Sequence, residues 1–236
     1  MSTNAPAAHV GPVAKRRRAP GPGWGTAPDR LRVAVVDYGA GNLVSIEQAL
    51  TAVGADVRIA RRPDVLDEAQ ALVVPGVGAA APAMRRLARQ ELLDPIARWV
   101  NDDRFFLGIC LGLQLLFDVS DEDGAAMLGV LPGRVESLRE APTLPHIGWN
   151  QVDRRRDHPL FDGIANGADL YFVHSFAGVP GGPRAAQAVL AETTHGATFV
   201  SAVAAGNTLG VQFHPERSGS DGLRLLANFV RWAGGR

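Results

Sequence analysis

Residues 105–117 read Phe-Phe-Leu-Gly-Ile-Cys-Leu-Gly-Leu-Gln-Leu-Leu-Phe. A short apolar run enters a Gly-x-Cys-x-Gly turn and leaves it as an amphipathic segment competent to form a helix. This pattern predicts a strand that stops at a sharp elbow with Cys110 at its tip. Small flanking residues let the backbone turn tightly there and present a nucleophile. The start of the following helix favours the thiolate, the reactive form. Glycine lowers stability inside regular elements, so a pair bracketing the single cysteine implies a special backbone. A buried structural cysteine is the ordinary reading of a lone Cys. The two glycines argue against it.

The rest of the chain supplies the sheet that such an elbow would end. Residues 31–37 form an apolar strand pattern, as expected for a sheet covered on both faces. Gly39-Ala40-Gly41-Asn42 turns the chain. Leu43, Ile46, Ala49, Leu50 and Val53 then recur at helical spacing, and Gly54 stops the helix. Residues 56–60 and 71–74 are further strands, and the latter runs into Pro75-Gly76-Val77-Gly78. Helices are expected over about 80–100. This alternation predicts an α/β fold with an open, mostly parallel sheet flanked by helices. Ligands of such sheets bind beyond the carboxyl ends of the strands. After about residue 128 short strands dominate, at 171–174, 198–203 and 209–213, and residues 223–232 close with a helix.

The first thirty residues differ. They are rich in Ala, Pro and Gly and carry Lys15-Arg16-Arg17-Arg18. No apolar core follows the basic run, as a secretory signal would require. Residues 1–30 are expected to be a disordered extension, and 31–236 the folded domain. Lys+Arg and Asp+Glu both number 24, so overall charge gives no reason to expect nucleic acid or a membrane surface as partner. One cysteine excludes an intramolecular disulfide framework and suits a reducing cytoplasm. No apolar run approaches the ~20 residues needed to span a bilayer.

A cysteine nucleophile needs a base, and the base an orienting group. Of six histidines, His214 stands out: it ends the apolar run Val211-Gln212-Phe213 and is followed by Pro215-Glu216. In an extended segment residues two apart share a face, which would let Glu216 hold the His214 imidazole. His146 and His174 are plausible neighbours of the site. A His-x-Glu metal pair lacks further ligands of clear spacing, so no metal is expected. Acyl transfer also needs oxyanion donors. The backbone N–H of Leu111 and the Gly76–Gly78 loop are the candidates. Gly39-Ala40-Gly41 lacks the dinucleotide fingerprint and any Gly-Lys-Ser/Thr, so no cofactor is expected.

Gly108-Ile109-Cys110-Leu111-Gly112-Leu113-Gln114, followed later by Gln212-Phe213-His214-Pro215-Glu216, resembles the class I (triad) glutamine amidotransferases. Three further segments resemble one branch of that family. They are Val36-Asp37-Tyr38-Gly39-Ala40-Gly41-Asn42-Leu43, Pro145-His146-Ile147-Gly148-Trp149-Asn150 and Tyr171-Phe172-Val173-His174-Ser175. The branch is that of the glutaminase subunits of imidazole glycerol phosphate synthases, and the likeness spans about 31–234. The resemblance implies a flavodoxin-like fold and a glutaminase. Cys110 would attack the amide of L-glutamine, His214 would shuttle the proton and Glu216 would orient it. Gly76, Val77, Gly78 and Leu111 would line the oxyanion hole. Gln114, Ser175 and Phe176 would hold the substrate's amino acid end. The implied partner is a (β/α)₈ cyclase subunit, in a heterodimer that carries ammonia to it. Asn42, Trp149, Tyr171 and Arg217 match positions facing that partner. Phe176 stands where tyrosine is usual, Arg217 where lysine is common, and His195-Gly196 where Tyr-Gly is more usual. Rival readings are a glutaminase of the anthranilate or aminodeoxychorismate synthase type, a catalytically silent binding subunit, and a cysteine peptidase on a related fold.

Overall fold

The computed structural model describes residues 30–235. The expected extension over residues 1–30 therefore lies outside the described residues, Arg30 excepted. In chain order the elements of the first half are β1 (Arg32–Val36), α1 (Leu43–Ala52), β2 (Asp56–Ala60), β3 (Ala71–Gly76), α2 (Ala80–Arg89), α3 (Leu93–Asn101), β4 (Phe105–Cys110), α4 (Leu111–Gln114) and β5 (Phe117–Ser120). The second half adds β6 (Leu131–Ser137), β7 (His146–Arg154), β8 (Ala168–His174), β9 (Phe176–Pro180), α5 (Pro183–Ala188), β10 (Val189–His195), β11 (Ala197–Ala205), β12 (Thr208–Val211) and α6 (Gly219–Ala233).

Nine strands form one sheet in the order β2-β1-β3-β4-β12-β11-β10-β7-β8, and β5-β6-β9 form a smaller one. From β2 to β12 all pairings are parallel. From β12 to β8 all are antiparallel. This is the expected α/β sheet, with the antiparallel strands in the C-terminal half. The parallel strands are buried on both faces because alternate residues feed two cores. Val33, Val35, Val73, Leu107 and Ile109 join Ile46 and Leu50 of α1 and Leu225, Leu226 and Phe229 of α6. Ala34, Val36, Leu72, Val74 and Phe106 join Leu87 of α2 and Ile96 and Trp99 of α3. Each large side chain so buried stabilises the fold by ~1.5–3 kcal/mol.

The segment after Cys110 departs from expectation. It is a single helical turn, α4, with all four residues buried, rather than an amphipathic helix. Leu113, Leu115, Leu116 and Phe117 are all fully buried and belong to the second core. The segment thus has no polar face to turn to water. The bracketing glycines do mark a special backbone, as expected, but its unusual dihedrals fall on Cys110 rather than on the glycines. Cys110 itself takes a strained positive-φ conformation, with φ 54° and ψ −109°, while Gly108 and Gly112 make room around it. A Cβ on Gly108 would meet the Gly112 carbonyl oxygen at 2.4 Å.

β3, β4 and β12 end at the same edge of the sheet. The antiparallel half then curls across these ends. The backbone N–H of His214, just beyond β12, donates to the Tyr171 carbonyl of β8 at 2.8 Å. Ser218 straps the same crossing: its hydroxyl donates to the His214 carbonyl at 2.6 Å and accepts from Tyr171 N–H at 2.9 Å. A strand distant in the sheet order is thereby laid over Cys110.

Candidate active site

Cys110 terminates β4 and lies opposite Gly76 in the β3–β4 register. Its thiol is 3.9 Å from the Val173 carbonyl of β8 and accepts from Gln212 Nε2 at 3.5 Å. One cavity is lined by Gly78, Cys110, Gln114, Glu122, Pro145, Val173, His174, Ser175 and Phe176. Six sequence-predicted positions therefore meet in a single space: Gly78, Cys110, Gln114, His174, Ser175 and Phe176.

His214 and Glu216 are joined by an Nδ1···Oε1 contact of 2.8 Å, with both side chains almost wholly buried. The expected route to this contact was wrong. β12 stops at Val211, and Pro215–Arg217 is a 3-10 turn rather than an extended segment. Pro215 starts that turn with its fixed φ, and the turn folds the carboxylate back onto the ring. Burial alone would lower the His214 pKa. The Cys110 side chain and then Glu216 outweigh it and raise the pKa to about 10. His214 Nε2 makes no formed hydrogen bond among the described residues and is left to face the Cys110 side chain.

The oxyanion candidates surround the elbow. A Cβ on Gly76 would lie 2.0 Å from the Tyr38 hydroxyl and 2.9 Å from Leu111 Cβ. Only glycine lets this backbone pass so near Tyr38 and Leu111. Gly78 is at φ 86° and Val77 is exposed on the loop between them. The Tyr38 hydroxyl beneath Gly76 is buried and unpaired among the described residues. Burial, then the charge of Cys110, push its pKa up.

Gln114 Nε2 donates to the Phe176 carbonyl at 2.7 Å and to Gln212 Oε1 at 3.0 Å. Gln212 is fully buried and is the functional position that sequence reasoning passed over. Its signal was a polar side chain closing an apolar strand. Glu122 at the cavity carried no signal within its polar run.

The positions expected to face a partner divide. Trp149 and Tyr171 pair across β7 and β8, with ring centroids 6.0 Å apart. The Arg217 guanidinium sits 4.2 Å over the Tyr171 ring, a cation–π contact. Trp149 is 57% exposed, which removes core packing as its role. Ile147, 60% exposed, extends this apolar surface. Asn42 is not in contact with these side chains: it caps α1 by accepting from Ser45 N–H, the usual service of an asparagine at a helix start, and α1 packs beside the Pro215–Arg217 turn.

Residues 34–232 match the family model described as glutamine amidotransferase class-I. This chain belongs to the class-I glutamine amidotransferases. The amidotransferase is 46% identical over 201 residues to the imidazole glycerol phosphate synthase subunit HisH of Symbiobacterium thermophilum, covering 85% of this chain and 93% of the relative. It is 43% identical over 205 residues to the HisH subunit of Syntrophotalea carbinolica, covering 84% and 98%. Its fold is like that of a chain in the PurLQS structure from Thermotoga maritima, with TM-score 0.68 and 19% identity, covering 86% of this amidotransferase and 99% of that chain.

Proposed function

We infer that this amidotransferase is the glutaminase subunit of an imidazole glycerol phosphate synthase, with residues 31–236 as its catalytic domain. It hydrolyses L-glutamine to glutamate and ammonia, and the ammonia passes to a cyclase subunit that forms imidazole glycerol phosphate and an aminoimidazole carboxamide ribotide. One observation carries the reading: Cys110, at a positive-φ elbow, shares a cavity with Gln114, Ser175 and Phe176 and has the buried His214–Glu216 pair at its side.

In the reaction Cys110 passes its thiol proton to His214, and Sγ attacks the side-chain amide carbon of glutamine. The negative oxygen that forms is received by backbone N–H groups of the Gly76–Gly78 loop and Leu111. The C–N bond breaks as His214 delivers a proton to the leaving ammonia. His214 is suited to this because its raised pKa keeps the proton on the ring at neutral pH. Glu216 orients the ring through Nδ1. The thioester left on Cys110 is cleaved by water, with His214 now accepting a proton, and glutamate leaves. Gln114 and the backbone of Ser175 and Phe176 hold the amino acid end.

The exposed face formed by Ile147, Trp149, Tyr171 and Arg217 docks the (β/α)₈ cyclase, giving a heterodimer. Asn42 joins this interface from the start of α1, which packs beside the Pro215–Arg217 turn. A lone free cysteine suits a reducing cytoplasm. No described helix is long and apolar enough to cross a membrane.

The test is glutamate release from glutamine, with and without the cyclase and its nucleotide ligand, for wild type and Cys110→Ala. Strong activation by the cyclase that vanishes in Cys110→Ala is the expected result. Turnover indifferent to the cyclase assigns the chain to another synthase. Absence of turnover under every condition leaves a silent binding subunit.

A further inference from the structure

Two histidines beside the catalytic residues are unused by the reaction as written. His146 and His174 are buried, face each other across β7 and β8, and pair in register. Their hydrogen bonds form one continuous chain. At its outer end the Thr194 carbonyl of β10 lies 3.0 Å from Asn150 Nδ2, and a carbonyl only accepts. Asn150 Oδ1 meanwhile accepts from the Gln151 N–H at 2.8 Å. Two independent partners thus settle the amide orientation, which the hydrogen-bond network must decide. The same Nδ2 lies 3.2 Å from His146 Nε2, which must then accept. The His146 proton is thereby placed on Nδ1, 3.2 Å from His174 Nε2. That nitrogen accepts in turn, and the His174 proton sits on Nδ1, 2.9 Å from the Phe176 carbonyl. Both ends of the chain are carbonyl oxygens, and every nitrogen between them is satisfied in one direction only.

We propose that Asn150, His146 and His174 are a positioning relay that fixes the Phe176 carbonyl in the glutamine pocket. The proposal rests on reading the cavity as the glutaminase site. The Phe176 carbonyl also accepts from Gln114 Nε2 at 2.7 Å. Both of its lone pairs are therefore committed. The relay sets the Ser175–Phe176 backbone and the Gln114 amide together, before substrate arrives. It works only if both rings are neutral, since a charged ring has no acceptor nitrogen. Burial is the main cause that keeps them so. It lowers His174 to about 3, with His146 and His214 adding to the effect against the Phe176 carbonyl. It lowers His146 to about 4, with His195 assisting. The His195 ring stacks on His146 at 4.0 Å and is itself held by the Thr143 carbonyl at 3.0 Å, closing the outer side of the relay. The ladder between β7 and β8 already joins these strands through the backbone, so the polar rings are not needed to pair them.

The experiment uses the two-subunit enzyme and the variant Asn150→Leu, which lies outside the cavity lining. In ¹⁵N-histidine NMR the wild type should show His146 and His174 neutral and protonated on Nδ1 at pH 7. Asn150→Leu removes the donor that fixes this direction. His174 should then lose its single tautomer, and KM for glutamine should rise about tenfold, the equivalent of one net hydrogen bond, with kcat within about twofold. A wild-type His174 that is charged or protonated on Nε2 overturns the relay without any variant. So does a variant whose KM rises with the His174 tautomer intact, or one whose tautomer changes with KM unmoved. A wild-type enzyme that releases no glutamate refutes the glutaminase reading itself, while the NMR result still decides the relay.

Discussion

Gly112→Ala tests how Cys110 is held. A Cβ at residue 112 would lie 1.8 Å from the Val74 carbonyl oxygen and 2.9 Å from its carbon. Both atoms are backbone of β3, so no side-chain rotation relieves the overlap. Reaching even 3.0 Å requires α4 and β3 to part by about 1.2 Å. Overpacking of this kind costs roughly 1–3 kcal/mol, and the upper end applies where both partners are backbone. For a chain of this length that lowers Tm by roughly 6–12 °C. Cys110 is two residues away on the same elbow and moves with it. A misplacement of about 1 Å at a reacting atom costs on the order of 10²-fold in rate. Thermal unfolding and glutamate release on the same sample measure both effects. Gly54→Ala is the control: residue 54 is at φ 96° with open space around it and lies at the far end of α1. It bears only the backbone strain of a left-handed residue, about 1–2 kcal/mol. A Gly112→Ala enzyme with wild-type Tm and kcat would show that the close approach of α4 to β3 does not set the geometry of Cys110.

Two further outcomes follow from buried groups. The His214 pKa is raised from 6.5 to about 10, so its contribution to stability is complete below the lower of these values and is lost as pH rises through the higher. Glu216→Gln removes one of the charges raising it and should flatten the decline in stability over that window, measured by urea unfolding at several pH values; an unchanged slope refutes the assignment. The Tyr38 hydroxyl is buried and unpaired among the described residues. Tyr38→Phe should therefore raise stability by about 1 kcal/mol and Tm by roughly 2–4 °C. A fall in Tm of that size would mean that the hydroxyl has a partner.

The parallel half of the fold was legible because its strands are short apolar runs separated by helical periodicity, as in 31–37, 43–53 and 71–74. The C-terminal half was legible only as strands. Its curl over the site depends on the His214–Tyr171 and Ser218 hydrogen bonds, which join residues over forty apart in sequence, and no local pattern encodes such pairings. The helix expected after Cys110 was misjudged because leucines spaced for a helix were read as one apolar face, whereas α4 is enclosed between β3, β4 and β12 of the large sheet and β5 and β9 of the small one. The His214–Glu216 contact was expected for a wrong geometric reason. Proline sets a 3-10 turn there, which brings residues two apart together as effectively as a strand would.

Tertiary context also explains why Cys110, an L-residue, keeps φ 54°. An isolated elbow would relax, since a non-glycine residue held in a sparsely populated backbone region costs on the order of 1–3 kcal/mol. Such strain persists only where the surroundings over-determine it. Here β4 is paired on both sides, to β3 and β12, up to the residues at the turn. Gln212, directly after β12, reaches back to donate to the Cys110 sulfur, and Gln114, at the end of α4, donates to Gln212. The chain thus closes a loop of contacts around the strained residue. The polar path that continues from Gln114 to Phe176, His174, His146 and Asn150 carries the same constraint out to β10. Cys110, Gln114, the Phe176 carbonyl and the curled antiparallel strands are therefore held by one connected set of bonds. A change at Asn150 and one at Gly112 would reach the site from opposite sides of that set, the first through the orientation of hydrogen-bond donors and the second through the spacing of backbones.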